Sequence, residues 1–333
     1  MMKAIRTHAV GGPETLTLDE IDAPTPAKGE VLVAVKACAI NYPDGLIIRD
    51  MYQFKPQRPF SPGGEISGVI EAVGEGVEGF AVGDRVLAGI GNGGLAEKVI
   101  VPAGRMFKVP DGVPFEKAAS LLMTYGTTIH GLKDRGHIKA GDTVLILGAA
   151  GGVGLSAIEL AKAFGARVVA AVSSEAKGEV ARKAGADEVV IYPREAMDKD
   201  ASKALANAFK QACGPEGANI VYDIVGGQYS EPALRAIAWE GRFLVVGFPA
   251  GIAKMPLNLT LLKSCDICGV FWGAFTARDP QAFHAQVAEL FDLMKAGKID
   301  PLVSETFPLE RAGEAIAKLE AREAVGKLVV TMD

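Results

Sequence analysis

An α/β protein of two units is what this sequence predicts, and three observations carry the expectation. Short β-branched runs punctuated by glycine fill the N-terminal part, and from Phe115 onward apolar strands alternate with helices. The chain then ends on another strand, Gly326-Lys-Leu-Val-Val330. At 333 residues it is long for one domain, so two compact units are expected.

The β-type runs are Glu30-Val-Leu-Val-Ala-Val35, Ile66-Ser-Gly-Val-Ile70, Asp84-Arg-Val-Leu87 and Glu97-Lys-Val-Ile-Val101. Glycines at 63, 64, 74, 76, 83 and 91 separate them, and strands at such spacing predict a barrel-like unit. Residues Glu116 to Leu132 read as helix. Continuous apolar strands follow at Thr143–Leu147, Arg167–Val172, Glu188–Ile191, Ile220–Val225 and Arg242–Val246, with a sixth at Asp266–Phe271. Strands without alternation suit burial on both faces of a parallel sheet. Between the first two, Val153, Ala157, Leu160, Ala161 and Phe164 form one helical stripe. That order predicts a doubly wound sheet. After Pro280 come an amphipathic helix, Phe283 to Ala296, and a tail too short to stand alone, which is expected to rejoin the N-terminal unit.

Composition narrows the classes. A net charge of -5 and the lack of a Lys/Arg cluster argue against a nucleic-acid surface. Met1 to Val10 has no signal-peptide architecture, and no apolar stretch reaches membrane-spanning length, so a cytoplasmic protein is expected. Cys38, Cys213, Cys265 and Cys268 are too scattered for a disulfide framework. Cys265 and Cys268 read as buried structural cysteines, with a redox pair the other reading.

The strongest local signal is Gly148-Ala149-Ala150-Gly151-Gly152-Val153-Gly154, set between a strand and a helix. Backbone can approach a pyrophosphate closely there, and the helix offers free N–H groups and a positive dipole end. The spacing departs from G-x-G-x-x-G, so context decides between a dinucleotide site and a packing turn. Strand before, helix after and a second strand beyond favour the dinucleotide. At the end of that second strand an acidic residue would select NAD. Here Val172 is followed by Ser173 and Ser174, with Lys177 a turn later, and this set favours the 2′-phosphate of NADPH. Glu175 is the opposing residue, and it also suits the first turn of the next helix behind a Ser174 cap.

In their order these residues resemble the medium-chain dehydrogenase/reductase superfamily, in its zinc-free NADPH:quinone oxidoreductase (zeta-crystallin-like) branch. The resemblance spans nearly the whole chain: Asn41-Tyr-Pro-Asp44, Pro62-Gly-Gly-Glu65 into Gly68-Val-Ile-Glu71-Ala-Val-Gly74, Gly83-Asp-Arg-Val86, Gly148 to Gly154, Gly241-Arg242 and Gly326-Lys327. It implies a GroES-like β-barrel catalytic domain from residues 1–122 and 265–333, and a Rossmann dinucleotide-binding domain from 123–264. It also implies a cleft between them for nicotinamide and substrate, and a homodimer. Asn41, Asp44 and Tyr52 match the barrel-side cleft positions, and Thr127 the threonine near the nicotinamide. Ser173, Ser174, Lys177 and Tyr192 match the adenine-ribose and phosphate positions. Gly247, Phe248, Phe271, Trp272 and Gly273 fall where the family's backbone lines the nicotinamide, and Lys327 matches a lysine before the final strand. Each has a plainer reading: Asn41 and Asp44 as turn residues, Tyr52 as a half-buried aromatic, Phe271 and Trp272 as core or interface.

Zinc alcohol dehydrogenases of the superfamily hold their metal with a Cys, the His of a Gly-His-Glu and a later Cys. Here those places carry Asn41 and Gly64, and no cysteine lies between Cys38 and Cys213. No catalytic metal is expected. Without a Lewis acid, simple alcohol oxidation is difficult, whereas quinones and conjugated carbonyls accept hydride readily. The expected activity is hydride transfer from NADPH to such a small-molecule acceptor. Reduction of an enoyl thioester, or NADPH binding without turnover, are the alternatives.

Overall fold

The computed structural model describes residues 1–332, which form two compact units: Met1–Met123 joined by the chain from Pro301 onward, and Thr124–Asp300. The strands of the first stretch are β1 (Met2–Arg6), β2 (Thr17–Ile21), β3 (Glu30–Ala39), β4 (Glu65–Val73), β5 (Arg85–Gly89), β6 (Lys98–Pro102) and β7 (Met106–Lys108). The inserted unit carries β8 (Thr143–Leu147), β9 (Arg167–Val172), β10 (Glu188–Ile191), β11 (Ala218–Asp223), β12 (Ile237–Val245) and β13 (Asp266–Gly269). The returning chain adds β14 (Val303–Pro308) and β15 (Lys327–Thr331).

In the first unit the main sheet runs β14-β15-β3-β4-β5-β7, and β6 pairs with β3. Strand β3 holds it together by pairing antiparallel with β15, β4 and β6. Register shifts at Leu32/Val33 and Val35/Ala37 give β3 the bends that three partners require. Its Val31, Val33 and Val35 share a core with Ile66, Ile70 and Val330. The tail therefore returns to the barrel-like unit as a strand. β1 and β2, which have no clear alternation, form a separate pair.

The inserted unit is a parallel sheet in the order β10-β9-β8-β11-β12-β13. Val144 to Leu147 and Val168 to Ala171 are wholly buried, which explains their unbroken apolar sequence. The order reverses between β8 and β11, and in sheets of this kind the carboxyl ends of the strands at that reversal are where ligands bind. No helix among the described residues is long and apolar enough to cross a membrane.

Three expectations are corrected. The second domain junction falls at 300/301 and not at 264/265, because β13 extends the parallel sheet beside β12 and the helix Pro280–Lys295 stays with that unit. The helix expected from Glu116 to Leu132 is broken. Helical turns at Phe115–Ala118 and Thr127–Ile129 alternate with wider, i→i+5 turns at Leu122–Gly126 and His130–Arg135. The segment is closely packed: a Cβ on Gly126 would lie 2.8 Å from the Trp272 indole, and one on Gly131 2.9 Å from the Tyr222 ring. The strand expected to reach Phe271 stops at Gly269, and Trp272 begins a helix to Arg278.

Candidate active site

The glycine turn lies at the carboxyl end of β8, beside the point where strand order reverses. Gly148 has φ 73°, a left-handed conformation that glycine alone adopts freely, and Gly148 and Ala149 donate back to the Ala171 carbonyl. At Gly154 a Cβ would come 2.3 Å from Gly148 O, so that glycine is required by packing. Gly151 is different. It caps the helix Gly152–Ala163 without a side-chain bond, and a Cβ there would meet nothing nearer than Gly148 O at 3.7 Å. The space above Gly151 fits a group that approaches the helix N-terminus, and the uncapped N–H groups suit an anion.

The end of β9 adds the second anion feature. Ser174 caps the helix Glu175–Lys183 by accepting from Lys177 N at 3.3 Å. Burial, then repulsion from Arg194, lowers the pKa of the half-buried Lys177 ammonium. Glu175 pairs with Arg182 at 2.7 Å, away from the role of a ribose acceptor. Two cations near Ser173 and Ser174 suit a phosphate dianion. Tyr192 is buried, its ring 4.7 Å from that of Tyr229.

The remaining nicotinamide-side positions follow the carboxyl ends of the later strands. Gly247 and the exposed Phe248 follow β12, and the exposed Phe271 follows β13. Trp272 is buried and stacks edge-on against Phe283, and Gly273 lies in its helix. Thr127 is flanked by anchored neighbours: Thr128 Oγ1 bonds Ser156 Oγ at 2.7 Å and accepts from Tyr222 OH at 3.1 Å.

In the barrel-like unit, Asn41, Asp44 and Lys327 form one buried cluster with Glu65. Lys327 Nζ donates to Asn41 Oδ1 at 2.6 Å and to Ile40 O at 3.0 Å. Asn41 Nδ2 donates to Glu65 Oε2 at 3.1 Å. Asp44 accepts from Asn41 N at 2.7 Å and Gly63 N at 3.1 Å, and Glu65 Oε1 accepts from Met123 N at 2.9 Å. Burial pushes the Asp44 carboxyl up to about 6, against the pull of backbone N–H groups and Lys327. It raises Glu65 and lowers Lys327 as well, with the opposite charges resisting in both cases. Lys327, expected among the cofactor contacts, thus has its ammonium inside this cluster. Tyr52 packs half-buried against the barrel core, and burial, then the Asp44 charge, raises its pKa.

Sequence reasoning missed three residues. Glu65 was visible in Pro62-Gly-Gly-Glu65 but gave no sign of its partners. Arg194 follows Tyr192 by two positions and could have been found as a second cation. Asp223, ending β11, gathers Val225 N, Gly226 N and Ser230 Oγ at 2.9, 2.8 and 2.5 Å and so fixes the loop at the strand-order reversal. Nothing in its neighbours signals this. Cys265, just before β13, and Cys268, on it, are both buried free thiols, and Cys265 packs in the core with Phe243, as the structural reading expects.

Known proteins share this plan. The alcohol dehydrogenase GroES-like domain family matches residues 27–111, and the zinc-binding dehydrogenase family matches 152–293. A quinone oxidoreductase-like protein 2 homolog of Nematostella vectensis is 36% identical over 332 residues, 98% of this chain and 88% of its own. A mycobacterial protein solved in complex with NADPH aligns with TM-score 0.91 at 33% identity over 100% of both chains. Escherichia coli quinone oxidoreductase complexed with NADPH gives 0.89 at 29%, over 99% of this chain and 100% of that one.

Proposed function

Since this chain belongs to the quinone oxidoreductase branch of the medium-chain dehydrogenase/reductase superfamily, we propose that it carries hydride from NADPH to a quinone or other conjugated carbonyl without zinc. One observation carries the zinc-free part. At Asn41, where zinc relatives have a cysteine, the amide oxygen is held by the Lys327 ammonium at 2.6 Å. Gly64 occupies the histidine position, where a Cβ would come 3.1 Å from Gly91 O. Burial, then the Asp44 and Glu65 charges, hold the neighbouring Cys38 as a thiol, so this donor set supplies no thiolate or imidazole, the ligands that catalytic zinc prefers.

Bound NADPH supplies the hydride. The Gly148–Gly154 turn holds its pyrophosphate, and Ser173, Ser174, Lys177 and Arg194 its 2′-phosphate. Tyr192 lies toward the adenine ribose, and Thr127, Gly247, Phe248 and residues 271–273 toward the nicotinamide. The Tyr52 phenol, protonated at neutral pH like any tyrosine and held further from ionisation by burial, is available as a hydrogen-bond donor. Its target is the acceptor oxygen on which negative charge develops. A donor of this kind contributes about 10²-fold to turnover. Exposed Met51 and Phe54 beside it favour an apolar acceptor.

The test is loss of NADPH absorbance with quinones, enones and enoyl thioesters, with and without chelator. Chelator-insensitive oxidation with quinone or enone, faster than with NADH, is expected, and Tyr52→Phe lowers kcat with little change in the KM for NADPH. Preference for enoyl thioesters, or NADPH binding without turnover, would replace this reading.

The reading extends to a homodimer. β13 ends the parallel sheet with one edge of backbone open, among the described residues. Ile267 on it, Trp239 on β12, and Leu261 and Leu262 on the neighbouring helix Asn258–Lys263 are exposed. An open strand with apolar surroundings suits pairing with a second copy. Sedimentation at twice the chain mass is expected, with Ile267→Lys shifting it toward monomer. A monomeric wild-type chain refutes it.

A further inference from the structure

The loop between the helix Tyr42–Ile47 and Phe60 carries Met51, Tyr52 and Phe54, yet it contains no regular secondary structure. Such a stretch keeps one shape only where side chains tie it. Arg6 Nη2 holds the far end through the Pro59 carbonyl at 2.8 Å, and Met51 N holds the near end through Leu46 O at 2.9 Å; Arg58 ties the two ends to each other. Its Nη2 donates to the Ile48 carbonyl at 2.9 Å and stands 2.8 Å from Asp50 Oδ1. The guanidinium carbon lies 5.5 Å from the centre of the Phe60 ring. Each contact point is itself fixed. Ile48 is fully buried, and Phe60 is bonded both ways to Thr7, through Thr7 N to Phe60 O at 2.9 Å and Phe60 N to Thr7 O at 3.3 Å.

The geometry makes one residue the closing link of a ring. From Ile48 the chain leaves the core, passes Asp50 and the three apolar and aromatic side chains, and returns at Arg58. Asp50 has φ 57°, an unfavourable conformation for a residue with a side chain, and its Oδ1 stands at ion-pair distance from Arg58 Nη2 without hydrogen-bond geometry. At the near end, Arg49 donates to Gly45 O at 3.1 Å and pairs with Glu320. The loop base is thus held from both sides. Its tip leaves Met51 67% and Phe54 52% exposed, next to half-buried Tyr52.

We propose that Arg58 is a positioning residue that sets acceptor selectivity, by holding Met51, Tyr52 and Phe54 as one fixed apolar lip for flat, apolar conjugated acceptors. This rests on the acceptor reading given above. A lip held in one shape binds a broad apolar acceptor without first ordering the loop, an ordering that would otherwise reduce affinity. A small, water-soluble acceptor covers little of the lip and depends on it less.

The experiment compares wild type with Arg58→Ala, Arg58→Lys and Asp50→Asn, on a small benzoquinone and on a naphthoquinone bearing an alkyl chain. Arg58→Ala is expected to raise the KM for the alkyl naphthoquinone about tenfold, the equivalent of one lost charge-assisted contact. The KM for benzoquinone and the Kd for NADPH change less than about twofold on the same scale. Arg58→Lys restores part of the loss, since an ammonium keeps the charge but not the flat guanidinium that lies over the Phe60 ring. Equal effects on both quinones, or no effect, overturn the proposal. If Arg58→Ala does not fold, Asp50→Asn carries the same comparison with a smaller expected change. Should the wild-type chain reduce neither quinone, the acceptor reading has failed. Hydrogen exchange of residues 49–58 then decides the tie alone: faster exchange in Arg58→Ala upholds it, and unchanged exchange overturns it.

Discussion

Gly151→Val is expected to weaken NADPH binding by about 100-fold, or about 2.7 kcal/mol, while leaving the fold intact. The backbone tolerates the change: Gly151 sits at φ -79°, ψ 171°, an extended conformation that valine adopts readily. The packing tolerates it as well, with Gly148 O at 3.7 Å the nearest atom to a new Cβ. What the side chain fills is the approach to the N-terminus of the helix Gly152–Ala163. There a pyrophosphate needs close backbone contact, and a branched side chain removes it. Gly154→Val is the contrasting variant. Its Cβ would stand 2.3 Å from Gly148 O and 2.6 Å from Ala149, so the turn itself is broken and thermal stability falls. NADPH titration followed by calorimetry, with thermal denaturation of both variants, separates the two effects. An unchanged Kd in Gly151→Val would show that this glycine faces no ligand.

The glycine turn was legible because its requirements are local. A strand, a tight backbone turn and a helix N-terminus are neighbours in sequence, and each leaves its own pattern. The parallel strands were legible for a similar reason, since burial on both faces leaves unbroken apolar runs such as Thr143–Leu147. The broken segment from Phe115 to Arg135 was not legible. Its glycines pack against Trp272 and Tyr222, which lie far along the chain, and nothing near Gly126 or Gly131 announces them. The junction at 300/301 was missed although Asp266–Phe271 was readable as a sixth strand, because the resemblance implies the earlier boundary and an amphipathic helix such as Pro280–Lys295 does not announce which unit its apolar face covers. Lys327 shows the same limit at the site. Its place before a final strand was readable, but not the 2.6 Å bond to Asn41, 286 residues away in sequence.

That bond sets the largest expected loss of stability. Lys327→Met leaves Asp44 and Glu65 buried without a cation, and Asn41 Oδ1 without its donor. Breaking one partner out of a buried charge cluster destabilises by about 3–5 kcal/mol, because the remaining charges stay desolvated. The pH dependence has a definite sign. Asp44 has its carboxyl raised to about 6 from an ordinary 3.8, so the folded state holds this proton more tightly than the unfolded chain. Its contribution is therefore most favourable at low pH and is lost as pH rises from the ordinary value through about 6. The difference is on the order of 3 kcal/mol. Removing the ammonium raises Asp44 and Glu65 further and carries the loss to higher pH. Urea unfolding at pH 5 and pH 8 should accordingly show the larger deficit for Lys327→Met at pH 8. Equal deficits at the two values would mean that the ammonium acts through packing and not through charge. A cluster that weakens the wild-type fold at neutral pH needs a reason to persist. On the zinc-free reading, the positive charge that zinc relatives take up as metal is here carried by the chain. Lys327 holds Asn41 beside Asp44 in the unit that carries Tyr52, and the fold bears the desolvation of those charges to keep them there.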